Sequence, residues 1–164
     1  MNLSGHLKPI PNREDHQCFA CGPANDCGLK MKFFTDETAV FSWLAIPGHH
    51  RGWDRLVHGG ITSTILDEIM SWSALYLLKK VILTKKMTVE FLHPIYVGAE
   101  LRAEGRLKER TGPREAVMEG LVYNKAEVLC ARSEGSYALI EPKIASRLDM
   151  MGPEALEDIQ RIFR

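Results

Sequence analysis

The spacing of hydrophobic positions changes along the chain, and each spacing predicts a different kind of element. Apolar residues occupy most positions of 61–78, which predicts a long buried helix over about 58–80. Shorter runs, rich in apolar and β-branched residues and separated by turns, predict strands. Six such runs lie at 29–34, 38–46, 82–92, 101–110, 116–123 and 128–140. Within residues 150–164, an amphipathic pattern at 153–163 predicts a C-terminal helix.

The order of these elements predicts an α+β fold. Residues 1–28 are rich in turn formers and are interpreted as a loop, the N-terminal strap. Two strands, the helix and four strands follow, and the short turns between the later strands favour antiparallel pairing. A helix that is apolar on most sides needs cover on most sides, which a curved antiparallel sheet wrapped around it would provide. The length of 164 residues fits a single domain over 1–164.

The predicted helix contains an acid near its middle, which is costly unless the carboxylate is paired, hydrated or functional. Asp67 falls on a stripe of small and polar residues at three- and four-residue spacing. The members of this stripe are Gly60, Ser63, Thr64, Asp67, Ser71 and Ala74. Glu68, in contrast, faces Ile61, Ile65 and Trp72. We therefore expect Asp67 to be the functional acid of this helix.

Two glycines, Gly59 and Gly60, open the same helix after His58. The first backbone N–H groups of a helix have no partner within it, and no Cβ blocks the approach of a ligand to a glycine. Such amides can polarise a carbonyl group. A carboxylate and an oxyanion donor are the minimum set of groups for acyl hydrolysis.

Charge and composition exclude several classes of protein. The chain has 21 basic and 21 acidic residues, so no overall field indicates a nucleic-acid partner or a membrane surface. The acids of the apolar helix make it unsuitable as a membrane span. Residues 1–16 show neither the apolar run nor the cleavage site of a signal peptide, and we expect a cytoplasmic protein.

Cysteines are concentrated in the strap, and without a secretory signal we expect them to be thiols. His16, Cys18, Cys21 and Cys27 could form a zinc site, because they combine a Cys-x-x-Cys pair with two further donors. Their spacing is not one of the strong zinc patterns. The alternative is a turn-rich strap with small apolar thiols, and we assign no metal and no cofactor.

The motifs resemble those of the hotdog-fold thioesterases, in the phenylacetate-degradation (PaaI-type) branch of the 4-hydroxybenzoyl-CoA thioesterase superfamily. His58-Gly59-Gly60 with an acid nine residues after the histidine matches the start of the family's helix, and Leu66-Asp67-Glu68 matches its continuation. The segment from Thr84 to Pro94 resembles the T-x-x-x-x-V-x-F-x-x-P strand of the family. Cys18-Phe19-Ala20-Cys21-Gly22 resembles a preamble found in some bacterial members.

This resemblance implies acyl-CoA hydrolysis at sites between two subunits. Asp67 would be the general base or nucleophile, and the amide of Gly60, or that of Gly59, would polarise the thioester carbonyl from the opposite subunit. Thr84 matches a hydroxyl that helps to hold the attacking water. His58 is a further catalytic candidate, although a histidine in this place more often positions the loop. Arg51 replaces the amide or acid that the family commonly presents seven residues before His58.

The resemblance also implies an acyl-CoA substrate and a homo-oligomer, either a dimer or a dimer of dimers. Candidate substrate contacts are Arg51, Ser63, Ser71, Lys85 and Lys86, and other cations that could hold the CoA phosphates are Lys108, Arg110 and Arg114. Trp72 and Tyr76 could border an acyl pocket, although core positions are the simpler interpretation. His49 and His50 are expected to be exposed. The alternative function is a non-catalytic acyl-CoA-binding or sensing protein on the same scaffold.

Overall fold

Seven strands form one antiparallel sheet in the structure, a computed structural model that describes residues 7–163. In chain order they are β1 (Lys8–Ile10), β2 (Phe33–Thr35), β3 (Ala39–Ala45), β4 (Val81–Phe91), β5 (Glu100–Gly112), β6 (Glu115–Asn124) and β7 (Leu129–Ile140). The order across the sheet is β1-β2-β3-β5-β6-β7-β4. Because β4 pairs only with β7 among these strands, it forms one edge of the sheet.

Within residues 7–163, three α-helices accompany the sheet: α1 (Gly59–Leu78), α2 (Pro142–Arg147) and α3 (Pro153–Ile162). The long helix α1 ends where Lys79 adopts a left-handed backbone conformation with φ of 53°. A 3-10 turn at Gly48–His50 precedes α1. None of the helices within residues 7–163 combines the length and the apolar character that crossing a membrane requires.

The sheet curves around α1, which contacts β3, β4, β5, β6 and β7. The side chains of Ile65, Leu66, Ile69 and Met70 are fully buried in this contact. The wrapping explains why α1 is apolar on most sides, since five strands of the sheet and the strap pack against it. The predicted α+β fold with one central helix is confirmed.

Several predicted boundaries differ from the structure. The loop prediction for residues 1–28 is wrong at β1, which pairs with β2 through contacts that no local pattern reveals. The strand predicted at 29–34 begins only at Phe33, because Lys30 has a left-handed φ of 51° that interrupts the extended chain. The short helix α2 was not predicted. The other predicted strands agree with β3 to β7 within two residues at each end.

The helix α1 approaches the sheet closely at Gly105 of β5. A Cβ atom added there would lie 2.3 Å from Ser73 Oγ and 2.5 Å from the Ile69 carbonyl oxygen. Gly105→Ala is therefore expected to push α1 away from the sheet and to cost about 3 kcal/mol of folding free energy, as overpacking does. The melting temperature should fall by roughly 6–12 °C. Thermal unfolding at one protein concentration measures this shift.

Gly112→Ala is the matched control for this prediction. Gly112 ends the same strand, and a Cβ added to it would have no atom within 4 Å. Its melting temperature should stay near that of the wild type. Equal melting temperatures for the two variants would contradict the close packing of α1 on Gly105.

Candidate active site

Asp67 lies half-buried near the middle of α1, and two hydroxyl groups donate hydrogen bonds to one of its carboxylate oxygens. Thr84 Oγ1 is 2.9 Å from Asp67 Oδ1, and the Tyr137 hydroxyl is 3.1 Å from the same oxygen. The Tyr137 hydroxyl also lies 3.4 Å from the Asp67 carbonyl oxygen. Among the described residues, Asp67 Oδ2 accepts no side-chain hydrogen bond. One carboxylate oxygen is thus held in place while the other is free to react.

The pairing of β4 with β7 brings the two hydroxyl donors together, because Thr84 and Tyr137 are direct partners in the sheet. Tyr137 is fully buried. Burial, and next to it the negative charge of Asp67, raise the pKa of the Tyr137 hydroxyl, so it remains a hydrogen-bond donor at neutral pH. Tyr137 was not among the site residues that the sequence predicted. The strand pattern of 128–140 could indicate its inward direction, but its pairing with Thr84 depends on the register of two distant strands.

The two glycine amides at the N-terminus of α1 differ in their hydrogen bonding. His58 caps the helix, since its Nδ1 accepts a hydrogen bond of 2.9 Å from the Gly60 N–H group. The Gly59 N–H group has no acceptor among the described residues. Gly59 also lines a small cavity of about 270 Å³, beside Phe91 and Ile95. The geometry therefore makes the Gly59 amide the more accessible donor.

The glycine amides and the carboxylate of one chain do not converge on one point. Asp67 follows Gly59 by eight residues, and a rise of 1.5 Å per residue separates the two by about 12 Å along the helix axis. Attack on a carbonyl requires the reacting atoms to be about 3 Å apart. The glycine amides and Asp67 of the same chain therefore cannot act together on one carbonyl group.

The predicted substrate contacts lie in several environments. Arg51 is exposed, and its Nε donates to the Gly48 carbonyl oxygen at 2.8 Å. The Ser63 hydroxyl donates back to the Gly59 carbonyl oxygen at 3.0 Å. Lys85 forms an ion pair with Glu115, whereas Lys86 is exposed on β4, two residues after Thr84.

The other predicted cations lie on β5 and the turn after it. Lys108 forms an ion pair with Glu134. Arg110 and Arg114 are exposed, and the Nε of Arg110 lies 3.4 Å from the Gly112 carbonyl oxygen. The pairing of Lys85 and Lys108 leaves Lys86, Arg110 and Arg114 as the more available cations.

A larger cavity of about 740 Å³ lies between the strap, α1, the start of β4 and α3. Ser71, one turn after Asp67, reaches its wall, as do Trp72 and Leu75. Trp72 is buried and stacks on Phe33 at a centroid distance of 4.4 Å. Tyr76 is half-buried, and its hydroxyl donates to Glu37 Oε2 at 3.0 Å.

Two cysteines of the strap meet the other acid of α1. The Cys18 thiol lies 3.9 Å from Glu68 Oε1, and Trp72 Nε1 donates to the same oxygen at 3.0 Å. Burial raises the pKa of the Glu68 carboxyl to about 7. Cys27 is exposed, and the ligand atoms that lie together are those of Cys18, Cys21 and Glu68. The sequence pattern suggested the cysteine pair but not its contact with Glu68.

The two loop histidines differ in their surroundings. His49 is exposed as expected. His50 is half-buried, with its ring edge-on to Phe19 at 6.0 Å, and its Nε2 is buried without a hydrogen-bond partner among the described residues. The expectation of an exposed His50 is therefore wrong, because the strap folds over this loop.

The curved sheet, the central helix and a carboxylate facing the edge strand define the class of protein. Residues 55–131 match the model of the family described as the Thioesterase superfamily. The match covers α1, β4, β5, β6 and the start of β7. It confirms the predicted class, a hotdog-fold thioesterase. No curated protein matches the sequence at a significant level.

Solved structures show the same fold at low sequence identity. A thioesterase superfamily protein has a TM-score of 0.68 at 19% identity over 75% of this chain, which spans 60% of that protein. The PaaI protein of E. coli, from the phenylacetic acid degradation operon, has a TM-score of 0.62 at 17% identity over 68% of this chain and 80% of its own. The smu.793 protein of Streptococcus mutans, bound to acetyl CoA, has a TM-score of 0.63 at 17% identity over 68% and 89%.

Proposed function

We propose that this protein hydrolyses acyl-CoA thioesters to a free acid and CoA. The observation that carries this proposal is the arrangement at Asp67, whose Oδ1 is held by Thr84 and Tyr137 while Oδ2 remains free. Acting as a base, Oδ2 takes a proton from a water molecule that attacks the thioester carbonyl. Acting as a nucleophile, it attacks the carbonyl itself, and water then cleaves the resulting anhydride. In both routes the C–S bond breaks and CoA leaves with a proton.

The oxyanion that forms during this attack needs a hydrogen-bond donor. The Gly59 N–H group is the better candidate, because the Gly60 amide already donates to His58 Nδ1. His58 then acts by capping the helix and orienting the glycine turn rather than by touching the substrate. Because Gly59 and Asp67 of one chain are about 12 Å apart, the donor for each Asp67 comes from a second subunit.

We therefore expect a homodimer or a dimer of dimers. The edge strand β4 supports this expectation, since an unpaired edge of 11 residues invites pairing with another copy. Leu83 and Phe91 of β4 are exposed apolar side chains, 48% and 59% accessible. Light scattering at micromolar protein is expected to give at least twice the 18.5 kDa of one chain.

Leu83→Lys is the variant that tests the role of this edge. It should shift the protein toward the monomer and lower hydrolysis with it, because each site needs both chains. Leu148→Lys changes an exposed leucine near the end of α2 and serves as the control. A wild-type protein that hydrolyses acyl-CoA as an 18.5 kDa species would contradict the shared site.

The CoA phosphates require cationic partners. Lys86 is the first candidate, because it is exposed on β4 close to Thr84, and Arg51, Lys85, Arg110 and Arg114 are further candidates. Lys86→Glu is expected to raise KM for an acyl-CoA about 5-fold, with kcat nearly unchanged, and the difference should shrink at high salt. Lys32→Glu is the control, because Lys32 is an exposed lysine that precedes β2, near the opposite edge of the sheet from β4. An unchanged KM in the Lys86 variant would exclude this lysine from phosphate binding.

The acyl group has space in the larger cavity. Ser71 lines this cavity and lies on the face of α1 that bears Asp67. Trp72 and Leu75 provide apolar surface on that wall. Ser63 lies on the same face of α1, one turn before Asp67, and is a further candidate for substrate contact.

The experiment that tests the proposed function is hydrolysis of a panel of acyl-CoAs with detection of free CoA thiol. Short, long and aromatic acyl groups should all be included. Release of thiol above the rate without protein, for at least one acyl class, is the expected result. Binding of CoA esters without hydrolysis of any of them would instead favour the alternative, a non-catalytic acyl-CoA-binding or sensing protein.

A further inference from the structure

The strap and the central helix bring together two thiols and a carboxylate in the wall of the larger cavity, and none of the three has a chemical role in the proposed hydrolysis. The Sγ atoms of Cys18 and Cys21 and a carboxylate oxygen of Glu68 all lie within 4.8 Å of one another. His16 stands beside them, with its Nδ1 3.9 Å from Cys21 Sγ. Sulfur, imidazole nitrogen and carboxylate oxygen are the ligand atoms that zinc binds in proteins.

The turn that bears the two thiols has a tightly packed backbone, which fixes the positions of both cysteines. The Gly22 N–H group donates to the Cys18 carbonyl oxygen at 2.9 Å and closes the turn. A Cβ added to Gly22 would lie 2.5 Å from the Cys18 nitrogen and from the His16 carbonyl oxygen, so the turn requires glycine at this position.

The carboxylate of this cluster is also oriented. Trp72 Nε1 donates to Glu68 Oε1 at 3.0 Å. Hydrogen bonds of this kind to the ligating side chains of metal sites fix their orientation and raise metal affinity. Glu68 follows Asp67 directly in α1, yet its carboxylate points to the strap rather than to Thr84 and Tyr137.

We propose that Cys18, Cys21 and Glu68 bind a zinc ion, with His16 as the fourth ligand. The ligand atoms of tetrahedral zinc are about 3.3–3.8 Å apart, so the three atoms need only small rotamer shifts to close on the metal. The His16 ring has to move toward Cys18 and Glu68. Two thiolates favour zinc over magnesium and calcium, which prefer all-oxygen sites. Cys27, which the sequence pattern grouped with these residues, lies outside the proposed site.

A zinc ion at this place would join the strap to the helix that bears Asp67. The strap reaches α1 across 50 residues of sequence, from Cys18 to Glu68. Metal binding to ligands so far apart in the chain contributes directly to folding stability. The role of this zinc is structural, and it does not depend on the reaction proposed for Asp67.

Metal content of the full-length protein tests the proposal. The protein, with any affinity tag removed, is prepared without chelators from a zinc-supplemented culture, and its metals are measured by mass spectrometry. The wild type should hold about one zinc per chain. Cys18→Ser and Glu68→Gln should each bind zinc at least ~10-fold more weakly. Cys27→Ser and Asp67→Asn should retain the wild-type zinc content, although Asp67→Asn is expected to lose hydrolysis.

Cobalt binding to the wild-type protein keeps the test independent of whether a variant folds. Replacement of zinc by Co²⁺ should give the near-ultraviolet charge-transfer band of thiolate ligands and the visible bands of tetrahedral cobalt. A wild-type protein that binds neither zinc nor Co²⁺ would overturn the proposal. So would a Cys18–Cys21 disulfide in the freshly purified protein, or an unchanged zinc content in Cys18→Ser.

Discussion

Asp67→Asn is expected to lower kcat for acyl-CoA hydrolysis by ~10²-fold or more, with little change in folding. Asparagine keeps the size of the side chain, and its carbonyl oxygen can still accept hydrogen bonds from Thr84 and Tyr137. What it loses is the free carboxylate oxygen that acts as base or nucleophile. Steady-state kinetics on the best acyl-CoA of the panel, together with the melting temperature, measure the two effects separately.

Asp149→Asn is the control for this prediction, because Asp149 is an exposed aspartate in the loop between α2 and α3. Its left-handed φ of 54° also suits asparagine. The control should retain wild-type kcat and KM. Wild-type turnover in Asp67→Asn would exclude the Asp67 carboxylate as base or nucleophile. The protein would still be a thioesterase, but it would act by another mechanism.

Gly59→Pro is expected to lower kcat by ~10²-fold or more, the typical effect of removing one oxyanion donor. Proline has no backbone N–H group, so the substitution deletes the proposed donor itself. The first position of a helix tolerates proline, since the N–H group has no partner in the helix. His58 is already extended, with φ of −62° and ψ of 135°, which is the conformation that a residue before proline prefers. The kcat of the variant is compared with that of the wild type, and circular dichroism checks that the helix content is unchanged.

Gly59→Ala separates the loss of the donor from the added bulk. A Cβ at Gly59 would contact the Phe91 ring at 3.5 Å, an ordinary van der Waals distance, and the N–H group remains. This variant should therefore keep most of the activity. If Gly59→Pro is as active as Gly59→Ala, the Gly59 amide is not the donor, and the Gly60 amide that His58 caps becomes the candidate.

The local pattern of the sequence determined the elements that depend on neighbouring residues. The apolar run of 61–78 predicted α1, and the runs rich in apolar residues predicted β3 to β7. Helix and strand periodicity can be recognised within about ten consecutive residues. Asp67 and the glycine pair could be named as functional for the same reason, since an acid in an apolar helix and bare amides at its start are local features. The order of the elements then favoured a sheet wrapped around one helix.

Only the tertiary structure decided how distant segments meet. The register of β4 and β7 brings Tyr137 to Asp67 beside Thr84, and no property of residues 128–140 alone determines that register. The fold of the strap brings Cys18 and Cys21 to Glu68, an acid whose sequence neighbours gave no sign of a polar partner. β1 exists only because it pairs with β2. Each of these contacts depends on the free energy of packing between segments far apart in the chain, which a local pattern does not contain.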